Sequence, residues 1–149
     1  MAIRILVVDD ASTDNTAAVV QAYSKRDNRV RYLVNSVNSG AYPSRNYGMQ
    51  QARGDFVTVH DSDDWSHPEK IARHIQPLLQ DAALKATYSS WVRVLPDVTF
   101  VGSWYLNDVF VEKNHSSLLL RRQTLQQTGL WDAVNVAADT EFMWRLELH

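Results

Sequence analysis

Short apolar runs that end in aspartate constrain this chain more than any other feature of its sequence. Residues 3–8 form a β-branched, almost wholly apolar run that ends at Asp9 and Asp10, and residues 56–59 form a second run that leads into residues 61–64, DSDD. Such a run is typical of a strand buried on both faces of a parallel sheet. Ligands of open α/β sheets bind beyond the carboxyl ends of the strands. We therefore expect polar chemistry at both strand ends.

Strand-like and helix-like segments alternate over the first half of the chain, and the second half is mixed. This alternation predicts a single α/β domain over residues 1–149. Strands are predicted at residues 3–8, 30–34, 56–59, 87–95, 99–105 and 116–120. Helices are predicted at residues 17–23, 44–52 and 139–148, and a short helix near Thr124 is expected to stop at Gly129. The third helix in chain order is predicted to follow a capping box formed by Ser66 and Glu69. Pro77 is expected to end or kink the third helix.

Composition excludes several classes of function. The absence of cysteine excludes disulfides, zinc-thiolate sites and thiol nucleophiles. A formal net charge of −2 provides no electrostatic reason to expect nucleic acid as a partner. The apolar runs are too short to span a bilayer, so no transmembrane segment is predicted, and without a recognisable leader the expected location is the cytoplasm.

The second acidic strand end suggests a metal site. Asp61, Asp63 and Asp64 lie within four residues, and two charges about 4 Å apart repel by roughly 4 kcal/mol at an effective dielectric constant near 20. A hard divalent cation such as Mg²⁺ or Mn²⁺ removes that repulsion and prefers carboxylate oxygens. Alternatively, the aspartates of such a loop only form turns and helix caps through hydrogen bonds to the nearby backbone. The glycine-rich phosphate loops of Rossmann and P-loop proteins are absent from the sequence.

Several motifs together resemble those of the GT-A-type family 2 glycosyltransferases. The matching segments, in chain order, are VVDDASTD at residues 7–14, NSG at 38–40, SRNYG at 44–48, ARGDF at 52–56 and DSDDW at 61–65. Residues 117–122, 129–132 and 138–142 resemble the later motifs of that family. The resemblance implies a GT-A-like, mainly parallel sheet flanked by helices, and it covers nearly the whole chain. It also implies that the family's first strand is missing from this sequence.

The resemblance assigns roles to individual residues. Asp10 would contact the nucleoside of the donor, and Arg45 and Asp63 would also lie at the nucleotide. Asp61, Asp63 and Asp64 would form the DXD-type metal motif that bridges Mn²⁺ or Mg²⁺ to the diphosphate. Asp139 would be the catalytic base that deprotonates the acceptor hydroxyl. A solvated helix charge is the alternative for Arg45, and a helix N-cap is the alternative for Asp139.

The implied activity is a metal-dependent, inverting transfer of a hexose. The donor is expected to be a nucleotide-diphosphate sugar, with UDP as the nucleotide, and the acceptor a sugar or another hydroxyl compound in polysaccharide biosynthesis. Residues 1–65 would be the nucleotide-binding half, and residues 66–149 would carry the acceptor site and the base. A homo-oligomer or an exchanged segment is expected to compensate for the missing strand. An inactive fragment that only binds nucleotide sugars is an alternative.

A response-regulator receiver domain is a second alternative, because the sequence RILVVDD at residues 4–10 also begins such domains. In that case Asp61 would accept the phosphoryl group at the end of the third strand. Receiver domains also need a Lys-Pro pair after the fifth strand, and this sequence contains none. The glycosyltransferase hypothesis is therefore preferred.

Overall fold

Two compact units make up the chain. The computed structural model describes residues 2–101, 111–134 and 136–148. The first unit contains Met1–Val57 and Arg122–His149, so the chain leaves this unit once and later returns to it. The second unit contains Thr58–Arg121. Helices and strands occur in both units, and this confirms the predicted α/β class.

A parallel two-stranded sheet belongs to the first unit. Its strands are β1 (Ile5–Asp9) and β2 (Val30–Val34), and helix α1 (Thr16–Arg26) connects them. The two strands pair in register, with Asp9 opposite Val34. Because parallel strands end at the same edge, the residues that follow β1 and β2 emerge side by side.

Helix α2 (Ala41–Gln51) packs closely against β1. Gly40 precedes the helix with a φ of +90°, a backbone conformation that glycine adopts without strain. Gly48 lies where the helix approaches the strand, since a Cβ atom added there would lie 3.1 Å from Cγ2 of Val8. The two glycines of the NSG and SRNYG motifs therefore set the start of α2 and its distance from the sheet.

Short helical segments bring the chain back into the first unit. They are a 3-10 turn at Arg122–Thr124, α4 (Leu125–Thr128) and α5 (Ala138–Leu148). Gly129 ends α4 with a φ of +75°. Between α4 and α5, the buried ring of Trp131 stacks on the buried ring of Phe142 at a centroid distance of 4.6 Å. This stack belongs to the core of the first unit.

The sheet of the second unit is antiparallel where β4 and β7 pair. The unit contains α3 (Lys70–Gln80), β4 (Ala86–Trp91) and β7 (Glu112–Arg121), and β5 (Arg93–Val94) and β6 (Phe100–Val101) form a separate antiparallel pair. Helix α3 packs on β4 and β7. The buried side chains of this unit include Leu78 of α3 and three consecutive leucines of β7, Leu118, Leu119 and Leu120. Strand β3 (Phe56–Thr58) adjoins β7, in the order β3-β7-β4.

The predicted boundaries of two helices are wrong. Helix α2 begins three residues before Ser44, because a glycine and distant acceptors start it instead of a local cap. Helix α3 begins at Lys70, and the predicted capping box does not form. The Glu69 N–H donates instead to Nδ1 of His67 at 3.2 Å, and α3 continues past Pro77 to Gln80.

The alternation of strands and helices also predicts that residues 3–8, 30–34 and 56–59 lie parallel in one sheet, and this prediction is wrong. Strand β3 is hydrogen-bonded in the sheet of β7 and β4, whereas β1 pairs with β2. Only three residues long, β3 lies beside the ten-residue β7, and sequence order alone does not reveal such a non-sequential neighbour. The predicted strand at residues 87–95 is divided into β4 and β5. Of the strand predicted at 99–105, only residues 100 and 101 form β6, and residues 102–105 lie outside the described residues.

Within the described part of the chain, no helix combines the length and the apolar character needed to cross a membrane.

Candidate active site

Asp9 ends β1 and holds two neighbouring segments of the first unit. Its Oδ1 accepts the backbone N–H of Ser12 at 2.9 Å, and its Oδ2 accepts the hydroxyl of Tyr32 from β2. Hydrogen bonds from Ser12 and Tyr32 lower the pKa of the buried Asp9, and the same bond raises the pKa of Tyr32 to about 12. Asp9 is therefore an ionised anchor whose oxygens are already engaged within its own unit.

Asp10 holds the loop that leads into α2. Its carboxylate accepts the N–H groups of Ser39 at 2.9 Å and Gly40 at 2.7 Å, and the side-chain amide of Asn35 at 2.7 Å. Burial raises the pKa of Asp10, but these hydrogen bonds outweigh that effect and leave the pKa lowered. The predicted contact of Asp10 with a nucleoside stays a prediction, and in this structure the residue fixes the start of α2.

Asn35 is a site residue that the sequence analysis missed. It directly follows β2, and its amide Nδ2 bridges Asp10 at 2.7 Å and the Oγ of Ser44 at 2.8 Å. The pattern of acids at the strand ends does not include this amide. A polar amide immediately after the second parallel strand was a usable signal, because it must emerge beside the residues that follow β1.

Asp139 lies in the first turn of α5 and contacts α2. Its Oδ1 accepts Nη1 of Arg45 at 2.8 Å, and its Oδ2 accepts the hydroxyl of Tyr42 at 3.3 Å. The side chains of Arg45 and Asp139 are 13% and 20% exposed, so the ion pair is mostly shielded while the carboxylate remains accessible. Asp139 is not the N-cap of α5, since the helix begins at Ala138. The structure thus brings together two of the predicted site residues, Arg45 and Asp139.

Asn46 fixes the segment that precedes α5. Its amide donates to the carbonyl of Trp131 at 2.7 Å and accepts the N–H of the same residue at 3.0 Å. Trp131 is buried and stacks on Phe142 of α5, so this pair of hydrogen bonds ties α2 to α5. Asn46 belongs to the SRNYG motif, but the motif by itself does not indicate this role.

The three remaining predicted residues lie in the second unit, in an acidic turn at residues 61–64. The N–H of Asp64 donates to the carbonyl of Asp61 at 3.2 Å, which closes the turn, and Asp63 is exposed. Next to it, burial lowers the pKa of Lys70, and the charges of Asp64 and Asp61 partly oppose that shift.

The acidic turn contains suitable ligand chemistry but no preformed cage. Among the described residues, no group of three or more His, Asp or Glu side chains is placed to hold a metal ion. Mg²⁺ usually takes only one or two carboxylates and completes its shell with water and phosphate oxygens. Asp61, Asp63 and Asp64 therefore fit a cation whose remaining ligands come from a bound phosphate, and their role in metal binding stays a prediction.

With this geometry established, comparison with known proteins identifies the family. The sequence matches the profile of "Glycosyl transferase family 2" over residues 1–129, which is most of the chain. The chain belongs to this family. The receiver-domain alternative is therefore wrong, and the family 2 resemblance is confirmed.

Curated relatives of this family 2 domain are longer proteins. Glycosyltransferase GlyG of Streptococcus pneumoniae is 44% identical over 62 residues, which are 42% of this chain and 21% of that protein. A Campylobacter jejuni GalNAc(5)-diNAcBac-PP-undecaprenol beta-1,3-glucosyltransferase is 38% identical over 81 residues, which are 54% of this chain and 25% of that protein. The chain thus spans a quarter or less of each of these two relatives.

Solved structures establish the fold of the family 2 domain. Residues 1–349 of S. aureus TarS in complex with UDP align with a TM-score of 0.68 and 20% identity, covering 93% of this chain and 44% of that one. The Pyrobaculum calidifontis mannosyltransferase PcManGT, in complex with GDP-Man and Mn²⁺, aligns with the same TM-score and identity, covering 93% and 41%. These likenesses confirm the predicted GT-A fold.

Proposed function

We propose that this family 2 domain binds a nucleotide-diphosphate sugar and transfers the sugar, with inversion, to an acceptor hydroxyl. The observation that carries the proposal is the placement of Asp139. Its carboxylate lies at the start of a helix, is held by two side chains of α2, and remains one-fifth exposed. A positioned and accessible carboxylate is what a general base requires.

In the proposed reaction, Asp139 takes the proton of the acceptor hydroxyl while that oxygen attacks the anomeric carbon. The bond between the sugar and the diphosphate breaks on the opposite face, and the nucleoside diphosphate leaves with the electron pair. A single displacement of this kind inverts the anomeric configuration. Asp61, Asp63 and Asp64 would hold Mn²⁺ or Mg²⁺, which would neutralise charge on the leaving diphosphate.

The donor is proposed to be a UDP-sugar, and Asp10 and Asp63 are proposed to contact its nucleotide, while the nucleotide contact that the resemblance implies for Arg45 stays a prediction. In support, the structural neighbour TarS has been solved with UDP, and the structural neighbour PcManGT has been solved with GDP-Man and Mn²⁺. The acceptor is proposed to be a sugar of a polysaccharide, since one relative is named as a putative teichuronic acid biosynthesis glycosyltransferase and another as a succinoglycan biosynthesis protein. The expected homo-oligomer stays a prediction.

The test is a calorimetric titration of the chain with UDP- and GDP-sugars, each with Mn²⁺ and with EDTA. We expect binding of at least one UDP-sugar that is tenfold or more tighter with Mn²⁺. Changing Asp63→Asn together with Asp64→Asn should abolish this difference, because two of the three proposed carboxylate ligands are lost.

The matched control changes two carboxylates of other turns in the same unit, Asp81→Asn and Asp97→Asn, and should leave the Mn²⁺ effect intact. Equal affinity with EDTA and with Mn²⁺ would contradict the metal dependence. No binding of any sugar nucleotide would contradict the proposed function. Binding without turnover would favour the inactive-fragment alternative.

A further inference from the structure

Both oxygens of the Asp139 carboxylate are held from one turn of α2. Tyr42 and Arg45 are three residues apart, so their side chains project from the same face of the helix. Arg45 Nη1 donates to Oδ1 at 2.8 Å, and the Tyr42 hydroxyl donates to Oδ2 at 3.3 Å. The Arg45 guanidinium also lies over the Tyr42 ring, at 5.2 Å from its centroid. The three side chains thus support one another.

The two hydrogen bonds to the carboxylate differ in strength. The bond from Arg45 is short and charge-assisted, a class roughly twice as strong as neutral bonds. The bond from Tyr42 is long, at the outer limit of hydrogen-bond geometry. Oδ1 is therefore tightly engaged, whereas Oδ2 keeps most of its capacity to accept a proton.

The Tyr42 hydroxyl remains a donor across the physiological pH range. Burial, and then the negative charge of Asp139, raise the pKa of Tyr42 above its ordinary value. A protonated phenol orients Oδ2 without competing with the carboxylate for a proton. Tyr42 was missed by the sequence analysis because nothing local distinguishes it from other surface tyrosines.

The helix that carries both residues is anchored along its length. Asp10 and Asn35 hold its N-terminal end, Gly48 sets its distance from β1, and Asn46 ties it to Trp131 before α5. A base must be held within about 0.5 Å of its productive position, and side chains on anchored helices provide such precision better than loops do.

We propose that Arg45 and Tyr42 are positioning residues for Asp139, and that they orient its carboxylate so that Oδ2 is the atom that accepts the proton from the acceptor. This inference rests on the proposed role of Asp139 as the base. It gives Arg45 a different task from the nucleotide contact that the family resemblance implies. The two roles predict different kinetics, because a nucleotide ligand acts on donor affinity and a positioning residue acts on turnover.

The kinetic test measures donor Kd by calorimetry and kcat by release of the nucleoside diphosphate, using the sugar nucleotide that binds tightest. For Arg45→Met we expect kcat to fall by about 10- to 100-fold while the donor Kd changes less than threefold, since small misplacements of a catalytic group cost up to 10²-fold. Arg45→Lys should recover part of kcat, and Tyr42→Phe should lower kcat by about threefold. Arg73→Met, which removes an exposed i,i+4 ion pair with Glu69 on α3, is the control and should change neither value.

A chemical test does not rely on turnover. It asks whether Arg45 and Tyr42 hold the Asp139 carboxylate, an arrangement that we call the clamp. The chain is treated with a water-soluble carbodiimide and glycine ethyl ester, and modification of Asp139 is followed by peptide mass spectrometry. We expect Arg45→Met to raise the rate of Asp139 modification at least threefold, with Arg73→Met at the parent rate.

The outcomes separate this inference from the proposed function. Unchanged modification in Arg45→Met would overturn the clamp. A tenfold rise in donor Kd with unchanged kcat would overturn the positioning role and make Arg45 a nucleotide ligand. A parent chain that binds no sugar nucleotide would contradict the proposed function itself, and with it the role of Asp139 on which this inference rests.

Discussion

At the scale of single residues, Ala11 is the clearest case of backbone strain near the site. It directly follows Asp10 and has a φ of +59°, in the left-handed region that costs an L-residue roughly 1–2 kcal/mol. Glycine, which has no Cβ atom, adopts such a φ without this cost. The neighbouring anchors Asp9 and Asp10 keep the turn in place despite this cost.

Replacing Ala11→Gly is therefore expected to stabilise the chain by about 1 kcal/mol, because relief of the left-handed strain exceeds the added entropy of the unfolded chain. Thermal unfolding should show a rise in Tm of about 2–4 °C. The same substitution at exposed Ala18, within α1, should instead lower stability by about 1 kcal/mol. A lower Tm for Ala11→Gly would contradict the strain.

Asp139 is the residue on which the proposed chemistry depends. Asp139→Asn keeps an oxygen that can accept from Arg45 but removes the ability to take a proton. We expect the turnover rate to fall by about 10² to 10⁴ while donor affinity stays within a few-fold. Asp132→Asn, whose side chain is 64% exposed, serves as the matched control. Transfer at the parent rate in Asp139→Asn would refute the assignment of the base.

At the scale of elements, α2 organises the candidate site because it contacts both the strand ends and α5. Asp10 holds the loop before this helix. Tyr42, Arg45 and Asn46 of the helix form hydrogen bonds with residues that come 85 to 97 positions later in the chain. Helix α5 positions Asp139 correctly only if the segment around Trp131 is fixed. Asn46 supplies that connection.

Asn46→Ala should therefore destabilise the chain by about 2–4 kcal/mol, since it leaves the N–H and carbonyl of buried Trp131 without their partners. Denaturant unfolding measures the loss, and Gln50→Ala, an exposed position of α2, is the control. Asn46→Asp keeps the acceptor but faces the Trp131 carbonyl with an oxygen, so it should not restore stability. Full stability of Asn46→Ala would show that α5 is held by other contacts.

At the scale of the whole molecule, stability should depend on pH through a buried histidine of the second unit. His74 is buried, and neither ring nitrogen has a hydrogen-bond partner among the described residues. Burial lowers the pKa of His74, and the positive charge of Lys70 lowers it further. In the unfolded chain, the same imidazole takes up a proton near pH 6.5.

Unfolding therefore binds a proton once the pH falls below about 6.5, and the free energy of unfolding should decrease as the pH falls further. His74→Leu should remove this dependence, making the slope shallower by up to about 1.4 kcal/mol per pH unit. The measurement is denaturant unfolding between pH 5 and 8, with exposed His60→Leu as the control. Parallel pH profiles of parent and His74→Leu would refute the role of His74.

The sequence alone determined the features that depend on local pattern. Apolar runs predicted β1, β2 and β3, because burial of a short β-branched segment is encoded in consecutive residues. Gly129 predicted the end of α4 for a similar reason, since few other residues adopt its backbone conformation. The ordered motifs also identified the family and indicated Asp139 as the candidate catalytic base.

Only the tertiary structure decided which of these residues meet. Arg45 and Asp139 are 94 residues apart in the chain, and Asn46 and Trp131 are 85 apart. Asp10 starts a helix that begins 31 residues later, a task that capping rules assign to an adjacent residue. Likewise, β3 joins a strand that is distant in sequence. Such contacts depend on how helices pack on sheets, and packing is a property of the assembled chain that no local window of sequence contains.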